Sequence, residues 1–106
     1  MNARSLKDKI LEITEGPRTK KYTALVEDKE TKKTRKISFG ARDYEQYKDS
    51  TPLKLYKNKD HGDAERRRNY FSRHSGVDNK QQAVAKELRQ SGGRLNAKIL
   101  SHFYLW

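Results

Sequence analysis

Arginines, aromatic rings and histidines crowd residues 60–76, which read DHGDAERRRNYFSRHSG. On a helix, Arg66, Tyr70 and Arg73 stand at i, i+4 and i+7 and share one face. Guanidinium forks match phosphates and carboxylates alike. Tyr70 or Phe71 beside them offers a ring on which a base can stack, although rings at this spacing more often fill a core. The chain closes on AKILSHFYLW, whose Phe103, Tyr104, Leu105 and Trp106 are costly to leave in water. They either complete this domain's own core or plug a pocket on a partner. The candidate set for a polyanion or an acidic partner is Arg66, Arg67, Arg68, Tyr70, Arg73, His74 and Trp106.

Other chemistry is harder to assemble. His61, His74 and His102 have no close ligand spacing among them, and without cysteine there are no thiolate metal sites or disulfides. They read instead as one capping, one helix C-terminal and one tail histidine. His61 with Asp60 and Asp63, or His74 with Ser72 and Ser75, lacks a nucleophile motif and a third orienting group. Gly92-Gly93 is not followed by the Lys-Ser/Thr of a phosphate-binding loop. The expectation is therefore a protein that is not an enzyme, with no cofactor, a metal-dependent nuclease being the one catalytic alternative.

The elements that must position these residues can be read from periodicity. Ser5 and Asp8 resemble a capping box, and Leu6, Ile10 and Ile13 fall on one helical face until Gly16-Pro17 stops it. This predicts an N-terminal helix or arm over residues 1–17, either lying on a partner or, as we favour, covering a sheet. KKYTALVED alternates, with Tyr22, Ala24 and Val26 on one side, and TRKISFG returns with Arg35, Ile37 and Phe39 on one side. Tyr44 and Tyr47 suit one helical turn that Pro52 breaks, after which Leu53, Leu55 and Tyr56 form an extended or looped anchor. A helix over about 62–75 starts from Asp60 as N-cap and ends at Gly76. Asp78 then caps a third helix with Val84 and Leu88 inward, ended by Ser91-Gly92-Gly93. The tail fits a helix through Ile99, Phe103 and Trp106 or a strand through Leu100, His102, Tyr104 and Trp106, and helix is the reading adopted. The sum is a small single α+β domain over residues 18–106, a β-hairpin covered by two or three short helices.

Size and charge bound what this domain can do. A chain of 106 residues holds one modest core, with 32% hydrophobic and 37% charged residues. The formal net charge is +11, with thirteen Lys/Arg against nine Asp/Glu up to Leu53 and twelve against five from Lys54 onward. Such a chain attracts polyanions, whether nucleic acid or acidic protein. The N-terminal stretch lacks the apolar run of a signal peptide, and no segment is long enough to span a bilayer, so a soluble protein made inside a cell is expected.

FGARDYEQYKDSTP, DHGDAERRRNYFSRHSGV and LNAKILSHFYLW together resemble a small family encoded by large double-stranded DNA viruses of algae and amoebae. The resemblance runs from Lys21 onward and leaves out the N-terminal segment. It implies a virion role, on the interior side of the capsid, as a minor capsid protein in a multi-copy assembly. The implied partners are major or other minor capsid proteins, with nonspecific nucleic acid as a further one. It implies no catalytic residues, and it carries over Arg66, Arg67, Arg68, Tyr70, Arg73, His74 and Trp106 as a structural signature. The alternative is a nucleic-acid-binding protein that packages viral DNA or acts on it.

Overall fold

The structure, a computed structural model, describes residues 6–106. Three antiparallel strands, β1 (Asp8–Glu15), β2 (Lys20–Asp28) and β3 (Thr34–Ala41), form one sheet in the order β1-β2-β3. Three helices follow: α1 (Ala64–Ser75), α2 (Lys80–Gln90) and α3 (Ala97–Tyr104). The α+β class is as expected, but the sheet has one strand more than a hairpin.

That strand corrects the expected N-terminal helix. Ile10 pairs with Val26, Ile13 pairs with Ala24, and the register slips between Ile10 and Glu12, so Leu11 is an extra, bulged residue. The bulge brings residues three apart onto one face of a strand, which mimics the helical period. Residues 8–15 therefore belong to the domain and are not a separate arm. The capping Ser5 lies outside the described residues. Gly16 makes the turn to β2, where a Cβ would meet the Lys20 carbonyl oxygen at 2.7 Å.

Strands β2 and β3 pair as their alternation predicts, with Tyr22 opposite Phe39 and Ala24 opposite Ile37. The Asp28 carboxylate shapes their turn by accepting from the Glu30 and Thr31 amides at 2.8 and 3.1 Å. Tyr22, Ala24, Val26 and Phe39 meet Val84, Leu88, Leu95, Ile99, Leu100 and Leu105 in one core. The sheet's inner face thus packs mainly on α2 and α3, with Phe71 of α1 also buried.

Residues 42–62 contain no α-helix, against the turn expected at Tyr44–Tyr47. Backbone donors there bond elsewhere: Lys48 and Ser50 amides donate to the carbonyls of Leu105 and Tyr104 at 3.1 and 2.8 Å, and the Asp49 amide donates to Asp60 at 2.8 Å. A helix would have to break these bonds. Asp49 itself is fully buried and accepts from Tyr22 Oη, from the Tyr56 amide (3.1 Å) and from Thr51 Oγ1 (2.6 Å). Burial pushes its carboxyl up, but these hydrogen bonds outweigh it and hold it below the usual range. Of the predicted apolar anchor, Tyr56 packs edge-on against Tyr22 at 5.5 Å, whereas Leu53 and Leu55 are exposed.

The helix caps differ from expectation by one to three residues. Asp63, not Asp60, caps α1 through the Glu65 and Arg66 amides, and Asn79, not Asp78, caps α2. Asp60 is diverted to Gln46 and Asp49 in the preceding loop. The tail is helical, capped by Asn96.

Candidate functional site

Helix α1 is fixed at both ends, by Asp63 at the start and by left-handed Gly76 (φ 70°) at the finish. Phe71 and Ser75 turn inward, and this sets where the arginines point. Arg66, Asn69, Tyr70, Arg73 and Trp106 line a notch of about 200 Å³. Arg66 pairs with Glu45 at 3.0 Å with both side chains half exposed, an arrangement worth little in stability. Arg73 has no carboxylate within ion-pairing distance among the described residues. Neither has Arg68, which is also exposed but does not line the notch.

Arg67 does something different. Its Nε donates to the Trp106 main-chain oxygen at 3.0 Å, and its guanidinium lies 4.5 Å from the centre of the Tyr47 ring. It positions the tail and is not a free anion hook. Trp106 in turn stacks on Tyr70, with ring centres 4.1 Å apart and planes 3° from parallel, and it packs against His61 at 5.2 Å. Tyr70 also meets His74 at 4.4 Å. The rings among the arginines are therefore engaged with one another, which leaves poor platforms for a base. Partial burial of its ring, then Arg73 and Lys98, lower the His74 pKa from its ordinary value.

Beneath this face lies a buried chain of hydrogen bonds. His102 is fully buried, with Nδ1 2.9 Å from Tyr70 Oη and Nε2 2.8 Å from Ser75 Oγ, and Ser75 Oγ donates to Glu87 at 2.9 Å. The proton inventory orients the chain. The Ser75 hydroxyl donates to Glu87, so Ser75 Oγ must accept from His102 Nε2–H, and Nδ1 accepts from the Tyr70 hydroxyl when it carries no proton of its own. This requires a neutral imidazole, and burial indeed pulls the His102 pKa down to about 4. Serine, histidine and acid stand together, but the polarity is the reverse of an activated nucleophile, in which histidine accepts the serine proton. The chain ties α1, α2 and α3 together.

A second acidic hub fixes the other end of the domain. The fully buried Asp8 carboxylate accepts from Arg35 (2.8 Å), Arg94 (3.1 Å) and the Leu95 amide (2.8 Å). Burial pushes its pKa up, but these partners prevail and hold it at about 2. Sequence reasoning missed both hubs. The signal for His102 is its place inside the apolar run of the tail helix, where a polar side chain has to be buried and satisfied. For Asp8 no comparable signal exists.

A cleft of about 350 Å³ adjoins the notch, with Tyr70 and Trp106 in the walls of both. Its lining includes apolar Phe39, Ala97 and Leu105, and Lys20, Lys98 and His74. Among the described residues, no group of three or more His, Cys, Asp or Glu is placed to hold a metal ion, and no helix is long and apolar enough to cross a membrane. Comparison with family models, curated proteins and solved structures finds no match to the chain.

Proposed function

We propose that the protein is a non-enzymatic structural protein of a virion, a minor capsid protein of a large double-stranded DNA virus. In this role it cements or bridges neighbouring capsid proteins from the interior side of the shell. The viral setting rests on the sequence resemblance alone. The docking role is supported by one observation above others: α1 presents cationic side chains while the rings between them are engaged within the protein. Such a face attracts carboxylates but is poorly made for reading bases. Exposed Tyr44, Leu53, Leu55 and Phe103 add apolar contacts that favour a protein partner. Repeated over many copies, modest interfaces would stabilise a shell through multivalency.

A second reading, nucleic-acid binding, is favoured by the +11 charge and by Arg66 and Arg73 flanking one notch. Virion fractionation with quantitative mass spectrometry separates the two. Retention with the shell after DNA digestion supports the capsid role, and release by nuclease supports the DNA role. Arg66→Glu with Arg73→Glu sharpens the test. A variant that loses DNA binding yet stays in empty shells is placed there by protein contacts, and absence from virions removes both readings.

A further inference from the structure

The notch on α1 is lined by side chains that reach solvent. Arg66, Asn69 and Arg73 are exposed, and Tyr70 and Trp106 beside them are half-buried. The three polar residues stand at i, i+3 and i+7, two turns along one face of the helix. Among the described residues, no Asp or Glu lines the notch. Two oxygens of its lining residues are committed elsewhere. Tyr70 Oη bonds His102 Nδ1 at 2.9 Å, and the Trp106 main-chain oxygen accepts from Arg67 at 3.0 Å. What remains is two guanidinium forks and an amide able to donate, a set that calls for an anion.

Donor count and charge choose among anions. Arg73 has no carboxylate within ion-pairing distance among the described residues. The half-exposed pair of Arg66 with Glu45 at 3.0 Å is worth little, so another anion can replace it. Two positive charges and three donor groups exceed what a carboxylate uses, since a single fork satisfies both its oxygens. They match a phosphate monoester, with its three terminal oxygens and nearly two negative charges. A phosphodiester has a single charge and a chain leaving on both sides, and the stacked Tyr70 and Trp106 rings leave its bases no platform. A volume of about 200 Å³ holds one phosphoryl group with the side chain that carries it.

Resting on the protein-docking reading above, we infer that this notch takes a phosphorylated side chain of a protein partner. Arg66 and Arg73 bind the phosphoryl oxygens, and Asn69 donates between them. Glu45 does not line the notch but competes for Arg66. The chain's single tryptophan, Trp106, lies in the notch wall and reports occupancy.

The probe is the labelled synthetic peptide Gly-Ala-phosphoSer-Ala-Gly with blocked ends, followed by anisotropy and by Trp106 emission at physiological ionic strength. The control peptide, Gly-Ala-Glu-Glu-Gly, matches its charge, and a DNA duplex serves as competitor. The phosphopeptide should bind about tenfold more tightly than the control and shift Trp106 emission. Arg73→Gln and Asn69→Asp, both at exposed sites, should each weaken it about tenfold without moving the unfolding midpoint. Lys36→Gln on β3, an equal change of charge, should leave it unaltered, and Glu45→Gln should tighten it by releasing Arg66. Equal binding of the two peptides, or equal losses from Arg73→Gln and Lys36→Gln, overturns the inference. So does DNA that displaces the phosphopeptide and itself loses about tenfold on Asn69→Asp, because a phosphodiester would then be the occupant. A protein that enters shells but does not bind the phosphopeptide removes the phosphate site and leaves the capsid reading standing. Phosphopeptide binding that depends on Arg73 and Asn69, in a protein absent from virions, does the opposite.

Discussion

Replacing Asp8 by Asn tests a fully buried carboxylate that pairs with two arginines. The carboxylate is fully buried and is held by two guanidinium groups and the Leu95 amide. A carboxyl that titrates at about 2 in the folded protein, against 3.8 ordinarily, favours folding when ionised. The difference is worth roughly 2.4 kcal/mol above about pH 5. Because the folded pKa is depressed, this stability is present above the unfolded value and is lost as pH falls through the folded one. Roughly half should remain at pH 3 and about a sixth at pH 2. Asn keeps the volume but turns an amide towards the guanidinium groups, while Arg94 retains Asp28 at 2.7 Å. Urea unfolding of Asp8→Asn at pH 7 should therefore show a loss of roughly 2–3 kcal/mol with an unchanged denaturant slope. In heat the midpoint should fall by on the order of 10 °C. A cost below about 0.5 kcal/mol at pH 7, or a cost that does not shrink between pH 4 and pH 2, would refute the reasoning.

His102 should give a separate acid window. With its pKa lowered to about 4, the unfolded chain takes up the proton first, so stability should fall between about pH 6.5 and pH 4 by up to roughly 3 kcal/mol. His102→Gln should flatten that slope in pH-dependent urea titrations, and an unchanged slope would show that the buried imidazole is not its source. Gly40→Ala places a Cβ 2.7 Å from Leu105 Cδ1 at a φ of +80°. It should cost roughly 2 kcal/mol, read as a lower thermal midpoint, and an unchanged midpoint would mean that the strand end adapts freely. Arg66→Glu with Arg73→Glu should change stability by less than about 0.5 kcal/mol and yet weaken retention on heparin, measured as the eluting salt concentration.

Legibility followed the range of the forces involved. The β2–β3 pairing could be read because Tyr22, Ala24 and Val26 alternate, and α2 because Val84 and Leu88 sit one turn apart beneath a Ser-Gly-Gly stop. The tail read as either helix or strand, since its apolar run satisfies both periods. Asn96, which accepts from the Ile99 amide at 2.9 Å, is the local feature that favours the helix. β1 misled because a single bulged residue, Leu11, turns an alternating strand into an apparent helical stripe. Residues 42–62 misled because their order comes from Asp49, Asp60 and the end of α3, partners that local periodicity cannot reveal. In the arginine segment, sequence identified the residue types but not their division of labour. Arg67 holds the tail, Arg66 and Arg73 flank a notch that Arg68 does not reach, and Tyr70 belongs to the interior network through His102.

The Asp8 clamp also bears on the order of assembly. Its partners Arg94 and Leu95 lie 86 and 87 residues further along the chain. β1 can pair with β2 across a short turn at small entropic cost, but the clamp must wait until residues 94 and 95 have been made. The same late segment supplies Tyr104 and Leu105, whose carbonyls hold the 42–62 loop, and Trp106, which Arg67 secures. During synthesis from the N-terminus, the hairpin region can form early and stay open, with its apolar face uncovered. Residues 94–106 then close the acid clamp, the loop and the aromatic stack in one late step.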